Sequence, residues 1–135
     1  MTAILDMPST YLSLHYHLVF STKNRLIMIG RDWQTRFHEY LGGTINGLDG
    51  QSEGVGGTED YVHLLESLKS TPRLADFMRE LKKASSSWVH REIGDPKFAL
   101  QEGYGAFSVT PTDCAGVKAY IRNQEEHHRT KSFCE

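Results

Sequence analysis

The residues with the clearest chemical potential are histidines, a tyrosine and a glutamine in separate segments of the chain. His15 and His17 are two residues apart and therefore lie on the same face of a predicted strand, with alpha carbons roughly 6.5–7 Å apart. Such a pair can bind a metal. His63 lies in a second predicted strand, while Tyr120 and Gln124 are four residues apart on one face of a predicted helix. These residue types favour metal-assisted chemistry at a tyrosine hydroxyl.

Each feature also has an ordinary structural interpretation. Strand histidines such as His15, His17 and His63 commonly pack or form hydrogen bonds, and Tyr120 fits a helical packing stripe with Gln124 at its rim. The chain has no Walker loop, no Gly-X-Ser-X-Gly elbow and no His-Glu-X-X-His signature. Neither cysteine has an obvious partner for nucleophilic chemistry. By exclusion, a metal-and-tyrosine site is the candidate that remains.

The elements that must position these residues follow from apolar periodicity. Strands are predicted at 11–20, 61–68 and 103–109, and the glycine-rich stretch 49–57 is predicted to be a turn or a poor strand. Helices are predicted after Asp32, acting as a cap, after Thr71-Pro72, and from Thr112, with Gly94 ending the second. This order predicts an α+β fold, a ferredoxin-like βαββαβ sandwich with helices on one face of an antiparallel sheet, plus a C-terminal helix that carries the tyrosine.

Length, charge and cysteine content exclude several classes of protein. The 135 residues amount to one domain, residues 1–135, in which 1–10 are expected to form a flexible N-terminal segment. No apolar run is long enough to span a membrane, and two cysteines cannot make a disulfide framework, so a cytoplasmic protein is expected. The net charge is −2, but residues 69–135 carry 11 Lys+Arg against 9 Asp+Glu, which gives that half +2. A basic surface on the second helix or a merely solvated helix face are both compatible with this distribution.

Five segments in order resemble the single-tyrosine HUH transposases of small prokaryotic insertion sequences, the IS200/IS605 type. The segments are HYHLVFSTKNR at 15–25, YVHLL at 61–65, FMRELKKASS at 77–86, QEGYGAFSV at 101–109 and YIRNQEEHH at 120–128. Together they extend the resemblance over about 11–133. One segment alone would be a weak signal, whereas five at the right spacing are a strong one.

The resemblance implies a fold, an activity and a partner. Members are ferredoxin-like homodimers that bind single-stranded hairpin DNA, and the tyrosine of one subunit faces the metal ligands of the other. By this resemblance Tyr120 is the nucleophile that forms a 5′-phosphotyrosine, and His63 and Gln124 are ligands for Mg²⁺ or Mn²⁺. A free edge of the strand at 11–20 is expected to pair with its copy in the dimer. The residues expected to hold DNA are Lys23, Arg25, Arg79, Lys82 and Lys83.

The chain departs from the family pattern at Tyr61, where the first histidine of the metal-binding pair is expected. A neutral phenol is a poorer ligand for magnesium or manganese than imidazole, so Glu59, water or a deprotonated Tyr61 would have to substitute. The alternative is a catalytically weakened or inactive relative that still binds hairpin DNA. A general RNA-binding module is a third interpretation, which the loose similarity of GYGAF at 103–107 to an RNA-binding motif supports only weakly.

Overall fold

The strand-forming segments build one antiparallel sheet in the computed structural model, which describes residues 14–68 and 74–124. The strands are β1 (Leu14–Ser21), β2 (Gly50–Gly57), β3 (Tyr61–Leu68) and β4 (Gly105–Val109). The helices are α1 (Gln34–Gly47), α2 (Leu74–Trp88) and α3 (Cys114–Arg122). The strand order is β2-β3-β1-β4, with α1 joining β1 to β2 and α2 joining β3 to β4. The α+β, ferredoxin-like βαββαβ topology predicted from the sequence is therefore confirmed.

Strand β1 lies in the centre of the sheet because its neighbours cover both of its edges. It pairs with β3, where Val19 lies opposite His63, and with β4, where His17 lies opposite Phe107. The expectation that this strand has a free edge for a second copy is wrong: the edges of the described sheet belong to β2 and β4. Burial on both faces explains the central position, since consecutive residues Leu18, Val19 and Phe20 are all buried. The predicted first residues, 11–13, lie outside the described residues.

One face of the sheet holds the main hydrophobic core. Side chains from β1 and β3 point towards α1 and α2 and alternate with residues of the opposite face. An aromatic group fills the space between the helices and the loop before β4, and neighbouring ring centroids in it are 5.6 to 6.2 Å apart. Its members are Trp33, Phe37, Trp88 and Phe98. This core fixes the sheet and leaves its other face available for α3.

Helix α3 covers that second face. Its Tyr120 ring contacts His17 and His63, which by strand alternation point away from α1 and α2. Ile121 on α3 is 1% exposed, and the second face buries Val19 and Leu65 as well. The C-terminal helix is thus a third layer of the fold, as its separate place in the predicted topology implies.

Local details differ from the sequence prediction at element ends. The glycine-rich stretch is a true edge strand, β2, with a bulge between Ser52 and Gly54. Helix α1 begins at Gln34 without a side-chain cap, so Asp32 is not the cap that was expected. The second helix continues into one π-helical turn and ends at Gly94 with φ 81°, which confirms that glycine as its stop. Thr71 and Pro72 lie outside the described residues.

Among residues 14–68 and 74–124, no helix combines the length and the apolar character that crossing a bilayer requires.

One acidic side chain among residues 14–68 and 74–124, that of Glu66, is buried. Glu66 on β3 is 0% exposed and shares its face with Val62 and Leu64. Within the described part of the chain, neither of its carboxyl oxygens has a hydrogen-bond partner. Burial raises the pKa of Glu66 to about 8, because the charged form loses its hydration. The folded protein therefore holds this carboxyl protonated at neutral pH, whereas the unfolded chain ionises it.

We expect Glu66→Gln to flatten the pH dependence of stability. Between the ordinary pKa of 4.5 and the folded pKa of about 8, the folded state binds the proton and the unfolded state does not. Stability from this group is therefore complete below pH 4.5 and falls by about 1.4 kcal/mol per pH unit up to the folded pKa. Urea unfolding from pH 5 to pH 8 measures the slope. The exposed carboxyl of Glu80 gives the matched control Glu80→Gln, and an equal slope in both variants and the wild type would contradict the account.

Candidate functional site

Two histidines from neighbouring strands meet on the second face of the sheet. The Nε2 atom of His17 on β1 lies 3.0 Å from Nδ1 of His63 on β3, and the two rings stack with centroids 5.2 Å apart. They meet diagonally, because Val19 and not His17 is the register partner of His63. His63 is 1% exposed. Burial lowers the pKa of His17, which favours the neutral imidazole needed for a hydrogen bond between two rings.

Helix α3 places a tyrosine against this pair, and a glutamine follows two residues after the end of the helix. The centroid of the Tyr120 ring is 5.9 Å from that of His17 and 5.9 Å from that of His63, with the rings nearly perpendicular. One turn later, the Nε2 of Gln124 donates a hydrogen bond of 3.1 Å to the Tyr120 carbonyl oxygen. The amide oxygen of Gln124 is buried and has no hydrogen-bond partner within residues 14–68 and 74–124. Of the predicted site residues, Tyr120 therefore lies beside His63, and Gln124 is bonded to the backbone of Tyr120; these three form the candidate cluster.

A glycine in β2 permits this close approach of α3. A Cβ atom at Gly56 would collide with the backbone carbonyl of Ile121 and lie 2.9 Å from the Cγ2 atom of that residue. Since real Cβ atoms do not approach other heavy atoms so closely, any larger side chain at Gly56 forces the helix away from the sheet. The absence of a side chain at this position sets the height of Tyr120 above the histidines.

Tyr61 occupies a packed position at the start of β3. It is 6% exposed, and its ring centroid lies 6.4 Å from that of His63. The guanidinium carbon of Arg25 lies 4.5 Å from the ring centroid, in a cation–π contact, and Arg25 also approaches Asp60 at 3.6 Å. The phenol ring is therefore held between the site and a basic side chain of the turn after β1.

Glu59 does not extend the face of β3 as strand alternation predicts. It lies in the turn before the strand, where its carboxylate oxygen is 3.3 Å from Nε of Arg31. Its backbone carbonyl accepts hydrogen bonds from the amides of Met28 and Ile29. The alternation of a strand does not carry through a turn, and this ion pair gives no support to Glu59 as a substitute ligand.

A divalent metal fits the donor set of His63 and Gln124. The amide oxygen suits Mg²⁺ or Mn²⁺, the imidazole nitrogen is the better ligand for Mn²⁺, and either ion would complete its coordination with water and substrate oxygens. The buried amide oxygen of Gln124, lacking a hydrogen-bond partner in the described part of the chain, is the observation that favours a cation here.

The five residues expected to bind DNA differ in exposure and in the contacts that they already make within the chain. Lys23 is exposed in the turn after β1, and Lys83 is exposed on α2. Arg79 forms an exposed ion pair of 2.9 Å with Asp76. Lys82 instead donates hydrogen bonds to the carbonyl oxygens of Gln101 and Gly103, at 2.5 and 3.0 Å, and burial lowers its pKa. Its first role is therefore to hold the loop before β4.

That loop separates two shallow clefts that share Tyr104. One has a volume of about 250 Å³ and includes Arg79 and Lys82, and the other, of about 280 Å³, includes Tyr61 and Phe107. Tyr104 and Phe107 are 38% and 58% exposed, and the Phe107 ring lies 5.8 Å from His17. A path of basic and aromatic side chains thus leads from α2 to the histidine pair.

Sequence reasoning missed the role of His17. Alternation along the strand predicts the face on which His17 lies. The hydrogen bond of His17 with His63 depends instead on the pairing register of β1 and β3. The sequence contained one usable signal, since both histidines lie on the same face of strands that a ferredoxin-like topology makes neighbours.

A tyrosine on α3 thus lies over His17 and the buried His63 on the second face of a ferredoxin-like sheet. Residues 10–124 match the family described as "Transposase IS200 like", so the chain belongs to the IS200-like transposase family. Enzymes of this family use a divalent metal. No curated protein matches the chain by sequence.

Two solved structures share the fold. A candidate transposase from Deinococcus radiodurans R1 is 22% identical with a TM-score of 0.69, and the match covers 88% of this chain and 96% of that one. A REP-associated tyrosine transposase bound to a REP hairpin is 12% identical with a TM-score of 0.62, and the match covers 91% of this chain and 73% of that one. At these identities the similarity establishes the fold.

We expect Gly56→Ala to move α3 and destabilise the protein by about 1–3 kcal/mol, because the new methyl group overlaps Ile121. Hydrogen exchange should become faster in α3 than in α1. Gly43→Ala is the matched control. A Cβ atom at this position meets nothing within 4 Å, and the substitution replaces a glycine inside a helix by a better helix former. Unchanged exchange in α3 of Gly56→Ala would show that this contact does not position the helix.

Proposed function

We propose that this protein, acting as one transposase domain over residues 1–135, cleaves and rejoins hairpin-containing single-stranded DNA through Tyr120. His63 and Gln124 would hold the Mg²⁺ or Mn²⁺ ion. The observation that carries the proposal is the contact between Tyr120 and His63, whose ring centroids are 5.9 Å apart; the buried amide oxygen of Gln124 lies one helical turn after Tyr120.

The residue types match a reversible transfer of a phosphodiester. The hydroxyl oxygen of Tyr120 forms a bond to phosphorus while the bond from phosphorus to the 3′ oxygen breaks, which leaves a 5′-phosphotyrosine and a free 3′-hydroxyl. The phenol loses one proton and the leaving oxygen gains one. A bound divalent cation would supply Lewis-acid polarisation of the phosphate oxygens. One ester replaces another, so a 3′-hydroxyl can reverse the step without ATP.

His17 is a positioning residue in this proposal. A metal at Nε2 of His63 requires that the ring carry its proton at Nδ1, which lies 3.0 Å from Nε2 of His17. His17 would accept that proton in a hydrogen bond and so fix both the tautomer and the ring plane of His63. Partners of this kind commonly orient histidines that bind metals.

The clefts beside β4 suggest how DNA reaches Tyr120. Lys23, Lys83 and Arg79 would neutralise backbone phosphates, while the exposed rings of Tyr104 and Phe107 would stack on unpaired bases. The contact between Phe107 and His17 connects this surface to the site. Arg25 would contribute from the edge of Tyr61, and Lys82 mainly through the loop that it holds.

A homodimer and a cytoplasmic location remain part of the proposal, and composite sites, in which Tyr120 faces the metal ligands of the partner, are the alternative to the arrangement within one chain. Within one chain, Tyr120 already contacts His63 of the same chain, so a tyrosine from the partner is not needed to form the cluster. In the described part of the chain both edges of β1 are paired, so a strand pairing between copies would use β2 or β4, the edge strands of that sheet.

The second candidate function is hairpin binding without efficient cleavage, and Tyr61 is the observation that favours it. A phenol packed beneath Arg25 stands where the family resemblance places a histidine ligand. The two functions share the DNA surface and differ in whether the site binds metal well enough to react.

The reaction predicts a covalent DNA adduct on Tyr120. Hairpin DNA from the flanks of the gene is incubated with Mn²⁺ or Mg²⁺, and peptide mass spectrometry locates the adduct. Tyr120→Phe should lose it, whereas Tyr104→Phe, which keeps a stacking ring and loses only a hydroxyl, should retain it. An adduct that persists in Tyr120→Phe would refute the assignment of the nucleophile. An adduct that appears only after Tyr61→His would favour the hairpin-binding function.

The role of His17 predicts a specific effect on metal affinity. His17→Phe removes the hydrogen-bond acceptor and should weaken Mn²⁺ binding about 10–100-fold, by electron paramagnetic resonance titration, while His17→Gln should restore part of the affinity through its amide oxygen. His90→Gln is the control, since that imidazole contacts the Phe98 carbonyl instead. Wild-type affinity in His17→Phe would contradict the positioning role.

A further inference from the structure

A second group of metal-ligating side chains lies on the same sheet face, next to the start of α3. His15 Nδ1 is 2.6 Å from a carboxylate oxygen of Glu53. The thiol of Cys114 joins them, and one ligand atom from each of the three residues lies within 4.8 Å of the other two. None of these residues belongs to the cluster of His63, Tyr120 and Gln124.

The three side chains converge because of local features in three different elements. His15 precedes His17 by two residues on β1 and therefore shares its face. In β2, the residues before and after Glu53 pair with the consecutive residues Glu66 and Leu65, so Glu53 is the extra residue of the bulge. Cys114 is the first residue of α3. The bulge and the helix start thus bring a carboxylate and a thiol to a strand histidine.

We propose that His15, Glu53 and Cys114 form a second metal site, for a borderline-soft divalent cation such as Zn²⁺. Imidazole nitrogen, carboxylate oxygen and thiolate sulfur are the donors that zinc binds, and three of them leave a fourth position for water. Neighbouring ligand atoms of a tetrahedral zinc ion are roughly 3.3–3.6 Å apart. An ion would therefore move His15 Nδ1 and the Glu53 oxygen apart from their 2.6 Å contact, with the thiol of Cys114 already within 4.8 Å of both. The thiol distinguishes this site chemically from the oxygen-rich site expected at Gln124.

Such an ion would fasten the helix that carries the tyrosine. It would join the first residue of α3 to β1 and β2, six residues before Tyr120. The ion would therefore hold Tyr120 over His17 and His63 of its own chain. This inference stands on the side chains of the second group alone and does not require the protein to cleave DNA.

Titration of the reduced full-length protein with Co²⁺ tests the site, because a cobalt–thiolate bond gives a charge-transfer band in the near ultraviolet. We expect a band at one equivalent that Zn²⁺ abolishes. Cys114→Ser should lose it, and His15→Phe and Glu53→Gln should weaken Co²⁺ binding at least tenfold. Cys134→Ser and His90→Gln are the controls that should keep the band, since the His90 imidazole contacts the Phe98 carbonyl instead.

Other outcomes overturn the proposal. A band that persists in Cys114→Ser, or that disappears in Cys134→Ser, would place the thiolate ligand elsewhere. No band in the wild type would show that the three side chains do not bind such a cation. Circular dichroism of each variant verifies that it is folded, and Zn²⁺ should raise the melting temperature of the wild type but not that of Cys114→Ser.

Discussion

The packing of α3 against the second face of β1 and β3 is the interaction on which the rest of the structure depends. It buries His63 and Leu65 and brings Tyr120 to the histidine pair. Gly56 allows the contact, and Ile121 supplies its apolar centre. The main core on the other face holds the sheet in place. The packing of α3 can therefore set the distances between the rings of Tyr120, His17 and His63. The packing of α3 on the sheet therefore contributes both to the stability of the fold and to the geometry of the site.

Tyr61 is the side chain that bears most directly on whether the protein cleaves DNA or only binds it. Its ring packs into the fold beneath Arg25, while the Tyr120 ring lies beside His63. The hydrogen bond between His17 and His63 shows that a second imidazole is present on this face, although it arrives from β1 rather than from β3. By the family resemblance a histidine ligand is expected at Tyr61, while the hydrogen bond between His17 and His63 is present. Cleavage of DNA and hairpin binding without cleavage are therefore the two functions that experiments have to separate.

Much of the fold could be predicted from the sequence, and the limits have physical causes. Strand β3 and both long helices follow from their apolar periods, but β2 has poor strand propensity and exists because β3 supplies its hydrogen bonds. Resemblance brought Tyr120, His63 and Gln124 into one site. The contact of His17 with His63 depends on strand register, and the engagement of Lys82 by loop carbonyls depends on tertiary structure. Neither is encoded in a local pattern.

The central claim is that the second face of the sheet holds a divalent cation between His63 and Gln124. Anomalous diffraction from crystals grown with Mn²⁺ tests it most directly, because the signal locates the ion without assumptions about the reaction. The account predicts one peak within bonding distance of an imidazole nitrogen of His63 and of the amide oxygen of Gln124, with Tyr120 adjacent. A well-ordered site without such a peak at saturating Mn²⁺, or a peak bound to neither residue, would contradict it.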